Sequence, residues 1–186
     1  MNPFLISIII IFAVIALLYN FLISKKNQVK NIYASVDTLL KKRFDLIPSL
    51  VATVQEAMKH EKSTLEEITA LRSQAMKNGI SSDKMAGIDS KLSSLLGSIM
   101  VAVEDYPELK ANDNTLNLQH SLNEIEEQLS AARRAYNQVV TDYNNAIEMF
   151  PTNILAGYMK FSRKQVFQVN KNEKKNPNIK ELFSKR

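Results

Sequence analysis

The chain has 186 residues and no cysteine, which excludes disulfides, thiolate metal sites, a cysteine nucleophile and a lipidated N-terminal cysteine. Only 4 glycines and 5 prolines interrupt it, so helix breakers are scarce, and the length suits one helical domain plus an anchor. The net charge of +5 is uneven: residues 1–24 carry no charged side chain, residues 25–159 hold 15 basic against 17 acidic residues, and residues 160–186 hold 9 basic against 2 acidic.

Those three stretches predict three parts: an N-terminal transmembrane anchor (1–24), a helical bundle (25–159) and a basic C-terminal tail (160–186). The anchor runs from Phe4 to Ile23, 20 residues with only Ser7, Tyr19 and Asn20 as polar breaks. At about 1.5 Å per residue it spans roughly 30 Å, the thickness of a hydrocarbon core. Phe4, Ile9, Phe12, Leu17 and Phe21 make it apolar on every face, which is rare for a soluble core helix. A cleaved signal peptide is the rival reading. No basic residue precedes the run, and Leu18-Tyr19-Asn20-Phe21 offers a poor cleavage site, so an uncleaved anchor is expected. Lys25, Lys26 and Lys30 follow at once, and a positive flank predicts an outside N-terminus with the bundle in the cytoplasm.

Residues 25–44 carry Val29, Ile32, Tyr33, Val36, Leu39 and Leu40 at helical spacing, and no Gly or Pro separates them from the anchor, so the first helix continues out of the membrane. A second helix is expected from about Leu46 to Lys77, with Asp45 as N-cap, Pro48 in its first turn and Asn78-Gly79 as its stop. A third runs from about Ser82 to Asp105 along Met85, Ile88, Leu92, Leu95 or Leu96, Ile99 and Val103, before Tyr106-Pro107. The fourth has the clearest pattern. Leu118, Leu122, Ile125, Leu129, Ala132, Tyr136, Val139, Tyr143, Ala146 and Phe150 alternate steps of four and three up to Pro151, an unbroken heptad pattern. Short connections imply antiparallel neighbours. The predicted fold class is therefore all-α, with a transmembrane helix continuing into an antiparallel up-down four-helix bundle.

Charged and polar side chains interrupt these apolar stripes. Glu61 and Arg72 fall on the stripe of the second helix, and Glu126, Arg133 and Asn137 lie beside that of the fourth. Buried charge needs a partner, so a buried polar layer is expected, with Glu61 opposite Arg133 and Arg72 opposite Glu126 fixing helix register; snorkelling of these long side chains is the alternative. Arg43 and Asp45 read as capping and solvation. Tyr136-Asn137 and Tyr143-Asn144 repeat at seven residues, which places the rings in the stripe and the amides beside it, where they can bridge helices. In the tail, Lys160, Arg163, Lys164, Lys171, Lys174 and Lys175 interleave with phenylalanines, a pattern that suits contact with anionic lipid better than nucleic acid, for which no motif is present.

Catalytic patterns are missing. His60-Glu61 opens like a zinc-protease helix, but the second histidine would fall at Thr64. The four glycines are scattered, no G-x-S-x-G occurs, and there are no Glu-x-x-His repeats for a di-metal bundle. No enzyme, cofactor or metal is expected.

Four strings carry a likeness: Tyr19–Val51 (ending in LLKKRFDLIPSLV), HEKSTLEEITALR at His60–Arg72, EDYPELKAN at Glu104–Asn112, and Leu122–Phe161, which contains AARRAYNQVVTDYN. Together and in this order they resemble the LemA family of bacterial membrane-anchored proteins; Met76–Met100 is the stretch least like it. The resemblance implies long helices on an N-terminal membrane helix, a bacterial inner-membrane location and no established enzymatic activity, with one branch linked to magnetosome membranes. The expected function is a membrane-anchored scaffold that self-associates or docks partners and organises the bilayer. The alternative is an accessory or sensor subunit of another membrane protein, such as a protease or envelope-stress complex. The expected partners are the lipid bilayer, further copies of the chain and other membrane proteins.

Overall fold

The computed structural model describes residues 3–77, 79–80 and 82–167, and among them there is helix and no strand. Four long helices carry the fold: α1 (Pro3–Val54), α2 (Lys62–Ala75), α3 (Ser82–Val103) and, after the single turn α4 (Pro107–Lys110), α5 (Asp113–Glu148); a short α6 (Thr152–Tyr158) follows. α1 and α5 form the backbone of the molecule, packed along each other, and α2 and α3 pair against their far half. The core is a continuous column: Val29, Val36, Leu40, Phe44, Ile47 and Leu50 of α1 meet Leu122, Leu129, Val140 and Tyr143 of α5, with Ile68 of α2 and Leu92 and Ile99 of α3 closing the wide end.

α1 and α5 run antiparallel in a register that side-chain contacts fix at three levels. Arg43 faces Glu126, Tyr33 faces Tyr136, and Lys25 faces Asp142. Extrapolated one more turn or so, the register sets Glu148 and Met149 level with Asn20. The Phe21 side chain indeed lines one cleft with Met149 and Phe150.

α1 has 52 residues, roughly 78 Å of helix, and it is both the apolar run and the first helix of the bundle. Its apolar segment is exposed as far as Phe21 except at Ala16 and Leu18, which are partly covered, and the first fully buried residue is Leu22. Lys84–Val103 of α3 is also long and apolar enough to cross a membrane, but Ile88, Leu92, Leu96, Ile99 and Val103 of that helix lie in the core.

One boundary differs from the sequence reading. Asp45 is not an N-cap and Pro48 does not sit in a first turn. α1 passes through both and ends at Val54, and the chain reverses at 55–61 through a single 3-10 turn (Lys59–Glu61). The apolar stripe explains this, because Leu40, Phe44, Ile47, Leu50 and Val54 are buried without a gap. A proline inside a helix leaves the carbonyl four residues earlier without its N–H partner. For Pro48 that carbonyl belongs to Phe44, and Arg72 Nε of α2 donates to it at 2.9 Å. Arg72 thus repairs the helix that Pro48 interrupts. Arg72→Met should leave that part-buried carbonyl unpaired and cost about 1–3 kcal/mol, read as a lower Tm in detergent micelles.

Phe150 is a second departure. It continues the heptad spacing of the fourth helix, yet α5 stops at Glu148 and Met149 is extended, so Phe150 leaves the apolar face and is exposed.

Candidate functional site

The buried polar layer is built from residues of α1, α3 and α5. Arg43 Nη1 donates to Asp89 Oδ1 at 3.0 Å and to Ser93 Oγ at 2.8 Å, and it lies 2.8 Å from Glu126 Oε2. Arg133 Nη2 donates to Asp89 Oδ2, and its Nη1 is 3.6 Å from Glu126 Oε1. Two cations and two anions close a four-member ring whose formal charge is zero. Its inner half is dry, with the Arg43 and Asp89 side chains 5% and 6% exposed, while Glu126 and Arg133 reach the surface on one side. The ring tolerates burial because each guanidinium addresses both carboxylates. Burial still dominates at Asp89: it holds this carboxyl above its ordinary value against the pull of Arg133 and Arg43, and the Glu126 charge adds to the rise.

The expected pairings are replaced. Glu126 and Arg133 belong to the ring, but their partners are Arg43 and Asp89. Arg72 lies at the level of Glu126 yet serves the Phe44 carbonyl. Glu61 sits in the 3-10 turn at the far end of α1, roughly five helical turns from the level of Arg133. Arg43 could have been found in the sequence, since it falls between Leu40 and Ile47 on the buried stripe. Asp89 follows Ile88 directly and shares its buried face.

Asn137 lies outside the ring and does something different. Beyond α6, residues 161–167 run extended and antiparallel along α5. Asn144 Nδ2 donates to Lys164 O at 2.9 Å, and Lys164 N donates back to Asn144 Oδ1 at 2.9 Å. Asn137 Nδ2 donates to Phe167 O at 3.0 Å, and Phe167 N donates to Asn137 Oδ1 at 2.7 Å. Each amide thus imitates the edge of a strand. The spacing explains the seven-residue repeat, because seven residues of helix rise about 10 Å and three residues of extended chain cover the same distance. The partner rings of the repeat hold the strap as well: Tyr136 packs on Phe167 with centroids 4.8 Å apart, and Tyr143 donates from its hydroxyl to Ser162 O at 3.1 Å. Asn137→Ala with Asn144→Ala removes four hydrogen bonds, each contributing about 0.5–1.5 kcal/mol. Trypsin cleavage at Arg163 and Lys164 should then accelerate at least tenfold, since cleavage of a segment tracks its opening equilibrium.

Of the proposed anchor residues, Phe4, Ile9, Phe12, Leu17 and Phe21 all project outward from α1. Lys25 pairs with Asp142 at 3.6 Å, and Lys26 Nζ lies 5.1 Å from the Phe161 ring centroid. In the tail, Arg163 pairs with Glu148 at 2.8 Å, and Lys164 Nζ lies 5.9 Å from the centroid of the Tyr143 ring. Lys160 takes φ 55, the left-handed value that ends α6 and turns the chain into the strap. Lys171, Lys174 and Lys175 lie outside the described residues. Among the described residues, no group of three or more His, Asp or Glu is placed to hold a metal ion.

These features define a class: an all-helical bundle built on an N-terminal helix long and apolar enough to cross a membrane. The family model of the LemA family matches residues 32–180, and the chain belongs to that family. It is similar to Protein LemA of Metamycoplasma hominis, 25% identical over 163 residues that cover 88% of this chain and 74% of that protein. It is also similar to Magnetosome protein MamQ 2 of Paramagnetospirillum magneticum, 33% identical over 84 residues. Magnetosome protein MamQ of Magnetospirillum gryphiswaldense is 30% identical over 83 residues. The shared segment is 45% of this chain in both cases, and 31% and 30% of the respective magnetosome proteins.

Proposed function

We propose that this chain is a single-pass, membrane-anchored structural protein without enzymatic activity, whose bundle serves as a scaffold by self-association or by docking other membrane proteins. One observation carries the reading. α1 passes from a segment apolar on every face into the centre of the bundle core with no break, so the bundle is rigidly coupled to whatever holds residues 4–23. A flexible tether would suit a diffusing catalytic domain; a continuous helix of roughly 78 Å suits a device that transmits or imposes geometry. The likeness to two magnetosome proteins supports a membrane-associated setting.

In this reading Phe4–Ile23 crosses the bacterial inner membrane with the N-terminus outside. Lys25, Lys26 and Lys30 keep the bundle cytoplasmic, and the basic residues from Lys160 onward meet anionic lipid. The mass of the full chain extracted in mild detergent tests the scaffold role. A defined homo-oligomer supports it. A monomer bound one-to-one to a single other membrane protein contradicts it and makes the chain an accessory subunit rather than a scaffold that gathers several partners.

A further inference from the structure

We infer that α6, with Met149 and Phe150 ahead of it, is a second membrane element that lies in the headgroup region and dips its outer face into the acyl layer beside α1. The inference rests on α1 crossing the bilayer as proposed above.

Three observations place it there. The first is position: the register of α1 against α5 brings the end of α5 level with Asn20, inside the apolar run, and α6 packs on α1, its first residue Thr152 lining one cleft with Phe21. Ala16 and Leu18 are partly covered and Leu22 is fully buried, although their neighbours on the other faces stand open. A helix that packs on α1 at the level of Phe21 sits at the edge of the segment that crosses the bilayer.

The second is the face that α6 turns outward. Thr152 and Ala156 are buried, whereas Phe150, Ile154 and Tyr158, spaced four residues apart, are 80%, 68% and 88% exposed, and Met149 is open beside them. Of the large apolar residues of α6 only Leu155 turns inward; the others face outward, an arrangement unfavourable in water. An exposed cluster of this kind marks an interaction surface. At the membrane boundary it is what an interfacial helix requires, with Tyr158 suited to the headgroup level.

The third is charge. Lys25 is paired with Asp142 and Glu148 with Arg163, whereas Lys26, over the Phe161 ring, and Lys160, at the end of α6, have no ion pair among the described residues, and no acidic residue occurs between Glu148 and Lys160. Lipid with anionic headgroups matches an apolar face with a cationic margin; the tip of a soluble partner would need an acidic rim to do so.

The absence of native cysteine permits a direct test on the full chain. Single substitutions Ile154→Cys, Leu17→Cys and Ser98→Cys would each carry a nitroxide label in vesicles of phosphatidylcholine mixed with phosphatidylglycerol. Relaxation by oxygen, which concentrates in lipid, is compared with relaxation by a water-soluble nickel chelate. The label at 154 should report lipid about 5–10 Å below the headgroup surface, that at 17 deeper, and that at 98 water. These depths should hold as the protein is diluted in lipid. A label at 154 as open to nickel as that at 98, with 17 still in lipid, overturns the placement of α6 alone. A label at 17 in water overturns the anchor and this inference with it. Protection at 154 that fades on dilution assigns the face to a second copy of the chain and also overturns the inference.

Discussion

Asp89→Ala should destabilise the bundle by about 3–5 kcal/mol, the cost of removing one member from a buried ionic group. Asp89 accepts from Arg43 and from Arg133, and its loss leaves the buried Arg43 guanidinium with Glu126 as its one carboxylate partner in the ring, beside the Ser93 hydroxyl. The helices cannot swing apart to hydrate that charge without opening Leu92 and Leu129, which are fully buried in the surrounding core. Thermal unfolding followed by helix circular dichroism should show Tm lower by roughly 10 °C, and a drop below about 2 °C would show that the ring contributes little. Asp89→Asn separates charge from shape. Burial raises the Asp89 carboxyl from its ordinary value of 3.8, so the folded protein binds that proton more tightly than the unfolded chain does. Stability gained through this group is therefore absent well above its raised value and grows as pH falls towards about 4. Wild type should gain in Tm on Asp89→Asn as pH is lowered from 7 to about 4; a constant difference would contradict the raised value.

Val14→Arg should cost about 3 kcal/mol of membrane insertion, since it puts a guanidinium near the centre of the apolar run. Val14 projects outward from α1, so no bundle packing is lost and the effect isolates the lipid contact. The partition of the chain between membrane and soluble fractions should shift roughly a hundredfold towards the soluble one. The same substitution at Val101, exposed on α3 at the far end of the bundle, should leave the partition unchanged. Equal effects at 14 and 101 would mean that residues 4–23 are not lipid-embedded.

The helices themselves were legible because their stripes are long. The run of Leu122, Leu129, Tyr136 and Tyr143 has one interpretation, and it lies in the core along α5. The sequence misplaces the first turn because the local signal of two residues opposes the apolar stripe that runs through them. Asp45 and Pro48 together look like a helix start, and only Arg72, distant in sequence, shows why the helix can continue: it supplies the donor that Pro48 lacks. The ionic ring was half legible for a similar reason. Glu126 and Arg133 stand out on a strongly periodic helix, whereas Arg43 sits in the KKR cluster at 41–43, where two neighbours point to solvent and one does not. Pairing adds a further difficulty, because periodicity reports which face a residue occupies and not the axial level of the neighbouring helix. The tyrosine–asparagine repeat was visible, but its partner is an extended strap. A strap has no periodicity, so only the structure shows what the two amides hold.

The strap and α6 share a consequence for the architecture. α5, α6 and residues 161–167 fold back over the segment of α1 that leaves the apolar run, with Lys25 tied to Asp142 and Lys26 over Phe161. The junction between the apolar run and the bundle is thus braced along one side of α1 and is not a free hinge. A scaffold that imposes its own geometry on a bilayer needs its joint to be stiff at that place.

If residues 4–23 remain in lipid as one helix with the bundle core, the protein resists extraction. Intact mass of the protein left in membranes after an alkaline carbonate wash tests this in one step. A pelleted species of 21.1 kDa that still carries the N-terminal run is expected. A protein released by the wash, or a membrane-bound form that begins after Ile23, would contradict it.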